Sequence, residues 1–498
     1  MGLNNHYIYT GCKHTAFYLI KISECFFKGV LVVDNLLNFI TDVNSRINSL
    51  VWGFPMLALL IGAGIYISIG TNFLQFRKFG YVLKCTMGQI FKKDGAKKGE
   101  ITPFQSLTTA LAGTVGTGNI AGVAGAISLG GPGAVFWMWV SATFGMATKY
   151  AEIVLALKFR QRNFEGDFVG GPMYYIKNGL GKSLYPLAIL FSAFGALSAF
   201  GIGNIAQANT IASAVYTAVS AFLPSASGYE SYVNLAVGII CSFFAATVLL
   251  GGLKRIGKVT EKLIPFMSIL YISFSLVVIL SHYDSLGKVF SMIFYGAINP
   301  RAALGGAVGI GISQAVKLGV GRGVFSNEAG LGSAPMAHAS SSEKNPVKQG
   351  LYGVFEVFFD TIVVCTLTSL VILCSGAYIP YGDAAGAQLT ISAFATSFGA
   401  KTAGVIIAGG IMFFAFSSIL SWSLYGMRCA EFLFGSRVNK AYLIIFILII
   451  IAGASMELSL VWGISDTLNG LMAIPNLIAV LGLSGLVFSE TRQHFKKK

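Results

Sequence analysis

Long apolar stretches recur from near residue 50 almost to the end of the chain, separated by short polar or basic segments. They fall at roughly 50–70, 104–128, 134–157, 184–220, 232–250, 263–281, 302–335, 349–375, 402–427, 439–457 and 460–488. Each is long enough to cross a hydrocarbon core about 30 Å thick. The pattern therefore predicts an all-α polytopic membrane protein with eleven transmembrane helices. Residues 22–48 differ: Leu36, Ile40, Val43, Ile47 and Leu50 recur at spacings of four and three, with Asp34, Asn38, Asp42 and Ser45 on the other side. That periodicity predicts an amphipathic helix lying on the membrane interface.

Composition agrees, since 55% of the 498 residues are hydrophobic and 11% charged, against about 25% charged in an ordinary soluble domain. The formal net charge of +15 raises nucleic acid as a partner. The basic residues, however, lie in loops between apolar segments, where anionic lipid headgroups are the natural partners, so no nucleic-acid partner is expected. Their distribution is lopsided. Alternate loops carry Arg77, Lys78, Lys84, Lys92, Lys93, Lys97 and Lys98, then Lys158, Arg160, Arg162, Lys177 and Lys182, then Lys254, Arg255, Lys258 and Lys262. Lys344, Lys348, Arg428, Arg437, Lys440, Arg492 and Lys496 to Lys498 continue the same side, whereas the opposite loops hold Lys288, Arg301 and Lys401. Cytoplasmic loops carry the excess of Lys and Arg. The expectation is a multi-pass protein of the cell (cytoplasmic) membrane with its N-terminus outside and its C-terminus in the cytoplasm. The seven cysteines form no C-x-x-C pair, so neither a metal site nor a disulfide framework is indicated. Lys21 and Lys28 interrupt the N-terminal apolar run, so no cleaved signal peptide is expected.

Two spans are dense in glycine. The second reads Ala112-Gly113-Thr114-Val115-Gly116-Thr117-Gly118-Asn119-Ile120-Ala121-Gly122, and the seventh Gly319-Val320-Gly321-Arg322-Gly323-Val324-Phe325-Ser326-Asn327-Glu328-Ala329-Gly330. Non-helical backbone at membrane depth is tolerated only where it lines a cavity or holds a ligand. Setting aside the first span, these two lead the first five and the second five, and five spans reverse direction, as an inverted repeat requires. Broken segments at matched places in two such halves point to a transporter's midplane site. The expected division is an arm at 1–48, an extra helix and basic loop at 49–103, repeats at 104–282 and 283–489, and a basic tail at 490–498. Close helix packing explains part of the glycine content, but it does not call for Thr117, Asn119, Ser326 and Asn327 beside the glycines. A dinucleotide loop at Gly116, Gly118 and Ala121 fails on context, because no strand precedes it. Neither H-E-x-x-H nor G-x-S-x-G occurs in a span, so no enzyme is expected.

The stretches TPFQSLTTALAGTVGTGNIAGVAGAISLGGPGAVFWMW (102–139), KYAEIVLALKFR (149–160), GGPMYYI (170–176) and GVGRGVFSNEAGLGSAPMAHA (319–339) resemble the alanine or glycine:cation symporter family. The resemblance covers about residues 50–488. It implies the leucine-transporter-type 5+5 inverted repeat with one extra N-terminal helix. It also implies symport of a small neutral amino acid with sodium, or less often protons; sodium is then the coupling ion, and no other cofactor is implied.

A break at Gly116 to Gly118 leaves the following half-helix with free amides and a positive dipole end, which suit a carboxylate. Backbone near Thr117, Gly118 and Asn119 is expected to hold the substrate carboxylate, with the Thr117 hydroxyl and Asn119 amide assisting. The half-helix before the break ends in carbonyls, notably of Ala112 and Val115, which suit a hard cation. By carry-over from the leucine-transporter fold, Ser417 and Ser418 are expected to complete a sodium site. Their alternative is interhelical hydrogen bonding. Gln207 and the carbonyls around Phe325 and Ser326 are expected to meet the α-amino group, and Phe325 and Trp422 to bound a small side-chain pocket. Gln207 shares a polar cluster with Asn204 and Asn209. Among ionisable groups inside spans (Lys149, Glu152, Lys317, Arg322, Glu328, Glu356, Asp360, Glu431, Asp466), Lys149 can pair with Glu152 at i,i+3, and Arg322 with Glu328 as a gate or a plain ion pair. A proton-coupled or glutamine-type carrier is the alternative, and an ion channel the rival class.

Overall fold

The computed structural model describes residues 38–88, 99–223, 225, 228–299, 311–456 and 459–496. Residues Met1–Leu50 form one unit and Val51–Lys498 another. In the first, residues 38–50 are helical and expose Phe39, Val43, Ile47 and Leu50. The part of the expected amphipathic helix from Asn38 onward is thus helical, and its stretch at 22–37 lies outside the described residues. So do residues 302–310 at the start of the seventh apolar segment.

The second unit is almost entirely helical. Among the described residues, eight helices are long and apolar enough to cross a membrane, nine when one bent pair counts as a single span. In chain order the elements that build the centre of this unit are α1 (Phe54–Gly70), α2 (Pro103–Thr114), α3 (Ala121–Gly130), α4 (Gly133–Lys158), α5 (Tyr185–Phe200), α6 (Ala206–Phe222), α7 (Glu230–Leu249) and α8 (Gly252–Ser281). They are followed by α9 (Ile312–Asn327), α10 (Pro335–His338), α11 (Pro346–Val357), α12 (Thr366–Cys374), α13 (Ala400–Phe434), α14 (Asn439–Ser455) and α15 (Ser459–Gly482). Shorter helices at Leu286–Ile298 and Ala387–Phe398 lie outside the eleven segments read from the sequence.

Local chemistry explains where the central helices begin and end. Thr102 caps α2: its hydroxyl accepts from the Gln105 amide at 3.1 Å, and the Gln105 carboxamide oxygen accepts from the Thr102 amide at 3.1 Å. This reciprocal capping box, with Pro103 in the first turn, satisfies amides that a helix start otherwise leaves free. The helix stops at Val115, whose backbone turns extended at φ −77°, ψ 92°. A single 3-10 turn, Thr117–Asn119, leads into α3, and the segment Thr117–Gly130 is bent by 58° from α2.

The second break sits later than the glycine run suggests. Gly319, Gly321 and Gly323 are helical inside α9, which continues to Asn327. A Cβ on Gly319 would lie 2.4 Å from the Ala134 carbonyl oxygen, and one on Gly323 would lie 3.3 Å from Ser141 Cβ, so these two glycines admit α4. The chain leaves the helix at Glu328 (φ 55°) and turns through Gly330 (φ 91°) and Gly332 (φ 81°). Left-handed backbone is cheap at the two glycines and costly at Glu328.

Helix α4 packs along α9 and α11, α6 along α13, and α5 against α13 and α15. The loop after α4 is held by polar contacts. The Arg160 guanidinium donates to the carbonyls of Ala339 (3.2 Å), Ser341 (2.6 Å) and Glu343 (2.9 Å). Beside it a two-residue hairpin pairs β1 (Gln161–Arg162) with β2 (Phe168–Val169). Arg428 meets Glu431 at 2.6 Å and Asp167 at 3.4 Å.

Candidate functional site

The site grows from the first break. Asn119 folds back so that its side-chain oxygen accepts from the Gly116 amide at 2.8 Å. The Asn119 amide bonds the Gly116 carbonyl and the Ile120 amide the Thr117 carbonyl, both at 3.2 Å. The amides of Thr117 and Gly118, first in the turn, have no acceptor among the described residues, and neither does the Thr117 hydroxyl a partner. Two adjacent donors at the positive end of a half-helix are what an anion needs.

On the other side of the break, α2 ends beside α13. The Ser417 hydroxyl lies 3.4 Å from the Ala112 carbonyl and 2.8 Å from that of Phe414. The Ser418 hydroxyl lies 3.1 Å from the Phe414 carbonyl, and a Cβ on Gly116, next to Val115, would be 2.8 Å from Ser418 Oγ. Backbone and hydroxyl oxygens from two helices thus converge where α2 unwinds. Such oxygens are the ligands hard cations prefer.

The second break faces the first. A Cβ on Gly118 would lie 3.6 Å from the Phe325 ring, and Phe325 stacks on Trp462 with centroids 6.2 Å apart. Trp422 is buried, and its indole N–H donates to Glu328 Oε1 at 3.1 Å. Ser333 donates to the other Glu328 oxygen. Trp422 fits there because a Cβ on Gly203 would fall 2.1 Å from Trp422 Cβ. Gly203 belongs to a π-helical turn, Gly201–Ile205, between α5 and α6, and π-turns mark functional sites often. Gln207 follows it: its NH2 group donates to the Ile202 carbonyl at 3.0 Å, while its oxygen is buried without a hydrogen-bond partner among the described residues. Asn204 and Asn209 turn elsewhere, donating to the Phe446 and Met456 carbonyls at 2.6 and 2.8 Å.

The Asn119 amide, expected to assist with the carboxylate, is engaged with protein, and so is the Ser326 hydroxyl. Asn119 donates from its NH2 group to Asp360 Oδ1 at 2.7 Å and to the Asp360 carbonyl at 3.2 Å, so both ends of its amide brace the fold. Ser326 donates to Asp360 Oδ2 at 2.8 Å. Asp360, the only acid in the apolar run FFDTIVVC, was visible from sequence as an intramembrane charge; its partners were not.

The ion pairs are rearranged relative to expectation. Lys149 does not pair with Glu152 on its own helix; it lies 3.2 Å from Glu356 of α11, which also meets His338 at 3.2 Å. Glu152 accepts instead from Asn476 of α15. An i,i+3 pair along one helix loses here to partners on facing helices, because α4 is buried on the sides that present both residues. Arg322 and Glu328 form no ion pair: the Arg322 guanidinium sits 5.7 Å from the Phe325 ring centroid, and Glu328, turned by its left-handed backbone, faces Trp422 and Ser333.

Residues 37–498 match the family described as the sodium:alanine symporter family. The sodium/alanine symporter AgcS of Methanococcus maripaludis is 46% identical over 463 residues, spanning 92% of this chain and 97% of its own. The probable sodium/glutamine symporter GlnT of Bacillus subtilis is 37% identical over 459 residues, spanning 91% of this chain and 90% of its own. Among solved structures, MhsT in complex with L-phenylalanine superposes with a TM-score of 0.55 at 11% identity, over 80% of this chain and 99% of its own. That likeness is one of fold, the leucine-transporter type, and says nothing of cargo.

Proposed function

The chain belongs to the sodium:alanine symporter family, and from that premise we propose that it carries a small neutral amino acid, alanine or glycine, into the cell with sodium by alternating access. It is a multi-pass membrane carrier rather than a catalyst. The observation that carries the residue-level reading is the two-sided first break. Unbonded amides of Thr117 and Gly118 lie on one side, and the Ser417 hydroxyl beside the Ala112 carbonyl lies on the other. In this reading Thr117 and Gly118 hold the carboxylate, with Asn119 bracing the turn. Ala112, Val115, Ser417 and Ser418 supply sodium oxygens, so cation and carboxylate share one piece of unwound backbone and each neutralises the field the other must enter. Gln207, with its free buried oxygen, and the last-turn carbonyls of Phe325 and Ser326 receive the ammonium group. Phe325 and Trp422 bound the side chain.

We also read eleven spans in two inverted halves behind one extra helix, adding α4 and the broken α9–α10 segment to the nine. The N-terminus is then outside and the C-terminus cytoplasmic. A glutamine cargo is the second reading, favoured by the relationship to GlnT; Phe325 against Gly118 argues for something smaller.

Uptake into proteoliposomes tests the proposal. An inward sodium gradient should drive uphill accumulation of labelled alanine, abolished when potassium replaces sodium. Unlabelled glycine and serine should compete, and glutamine should compete poorly. Conductance without accumulation would mean a channel, and accumulation driven by a proton gradient alone would reassign the coupling ion.

A further inference from the structure

Asp360 is buried, with no exposed surface, and sits in the π-helical turn Phe358–Cys365 that joins α11 to α12. Its carboxylate is shared between the two broken helices. Oδ1 accepts from Asn119 at 2.7 Å; Oδ2 accepts from Ser326 at 2.8 Å and from Thr361 at 2.8 Å. Because the other end of Asn119 holds the Gly116 amide, an unbroken series of hydrogen bonds runs from the unwound backbone of the first break, through Asp360, to the last turn of α9. Among the described residues no Lys, Arg or His lies within ion-pair distance of Asp360.

A carboxylate at this depth is an expensive choice for a brace. A neutral amide could hold Asn119 or Ser326, but only an acceptor with two oxygens takes donors from both without presenting a donor of its own. We propose that Asp360 is the positioning residue that couples the two breaks, so that sodium and substrate at the first set the position of the second. The inference rests on reading the first break as the shared site of both. Asp360 touches neither ligand; it transmits through Asn119 on one side and Ser326 on the other. A gate at the second break then moves only when the first break is filled, which is what symport requires of a carrier.

Asp360→Asn keeps the shape and one acceptor oxygen but turns an NH2 group toward donors, so one of the two links is lost. In proteoliposomes, half-saturation for both alanine and sodium should rise about ten-fold, the loss expected of one charge-assisted hydrogen bond. Ser326→Ala, a milder change, should also raise the sodium half-saturation, although Ser326 is not among the proposed sodium oxygens. Once Asp360→Asn is present, adding Ser326→Ala should change either constant less than about two-fold, because residues of one network are not additive. Asp360→Asn with unchanged constants, or Ser326→Ala with unchanged sodium dependence, overturns the coupling. If Asp360→Asn does not fold, Ser326→Ala alone decides. The melting temperature of purified protein with sodium and no amino acid separates the two readings. A wild-type protein that sodium does not stabilise sinks the shared site, whereas one that sodium stabilises equally in Ser326→Ala sinks only the coupling.

Discussion

Around the first break a single added or removed atom reaches the proposed cation oxygens. Gly116 has ordinary extended backbone, so alanine fits there conformationally, yet its methyl would press on Ser418 Oγ at 2.8 Å. Gly116→Ala should therefore raise the sodium half-saturation more than the alanine one. Ser418→Ala should do the same by about ten-fold or more, a hydrogen-bonding group to a charge being worth about 1.5–3 kcal/mol. Sodium-dependence curves at saturating alanine check both; equal effects on the two constants would place Ser418 outside the cation site. Lys149 makes a different kind of prediction. Its partner Glu356 is wholly buried, and stranding a buried charge costs about 3–5 kcal/mol. Lys149→Met should sharply lower thermal stability in detergent, and Lys149→Met with Glu356→Met should recover part of it.

At the scale of elements, α9 has one packed face and one open face, and its glycines distinguish them. Gly319 meets the α4 backbone, whereas a Cβ on Gly321 would have nothing among the described residues within 4 Å. Gly319→Ala should separate α9 from α4 and destabilise by about 1–3 kcal/mol, the usual cost of overpacking. Gly321→Ala should be neutral or gain up to about 1 kcal/mol of helix propensity. Melting curves of the two variants side by side test this. The break beyond them keeps a non-glycine residue, Glu328, in left-handed backbone, and such strain persists where a function holds it. Here Glu328 is held by Trp422 and Ser333, which ties the second break to α13, the same helix that brings Ser417 and Ser418 to the first.

For the whole molecule, charge and polar contacts mark one end. Arg160 ties the loop after α4 to the segment following α10, Arg162 ties that loop to Glu100 ahead of α2, and Arg428 of α13 reaches Asp167 of the same loop; this loop belongs to the set that carries most of the Lys and Arg. That set should be cytoplasmic. A protease-cleavable tag after Lys498 should be cut in inside-out vesicles and protected in intact cells; the reverse result would invert the topology and with it the inward face of the carrier.

Apolar helices long enough to span and the place of the first break were legible in the chain, because hydrocarbon leaves few options: an apolar run of sufficient length must be helical, and glycines interleaved with Thr117 and Asn119 mark where it stops being so. The second break was misplaced by several residues, since glycines that admit a neighbouring helix and glycines that turn the backbone look alike until the neighbour is known. The partners of Lys149, Glu152, Glu328 and Asp360 were equally out of reach. Each is chosen by which helix face lies opposite, and residues up to 324 positions apart in sequence, such as Glu152 and Asn476, become neighbours only when the bundle closes. Sequence alone determined that the chain crosses the membrane and unwinds within it; the tertiary structure decided which buried charges answer one another, because a charge in an apolar medium takes whichever partner packing brings nearest.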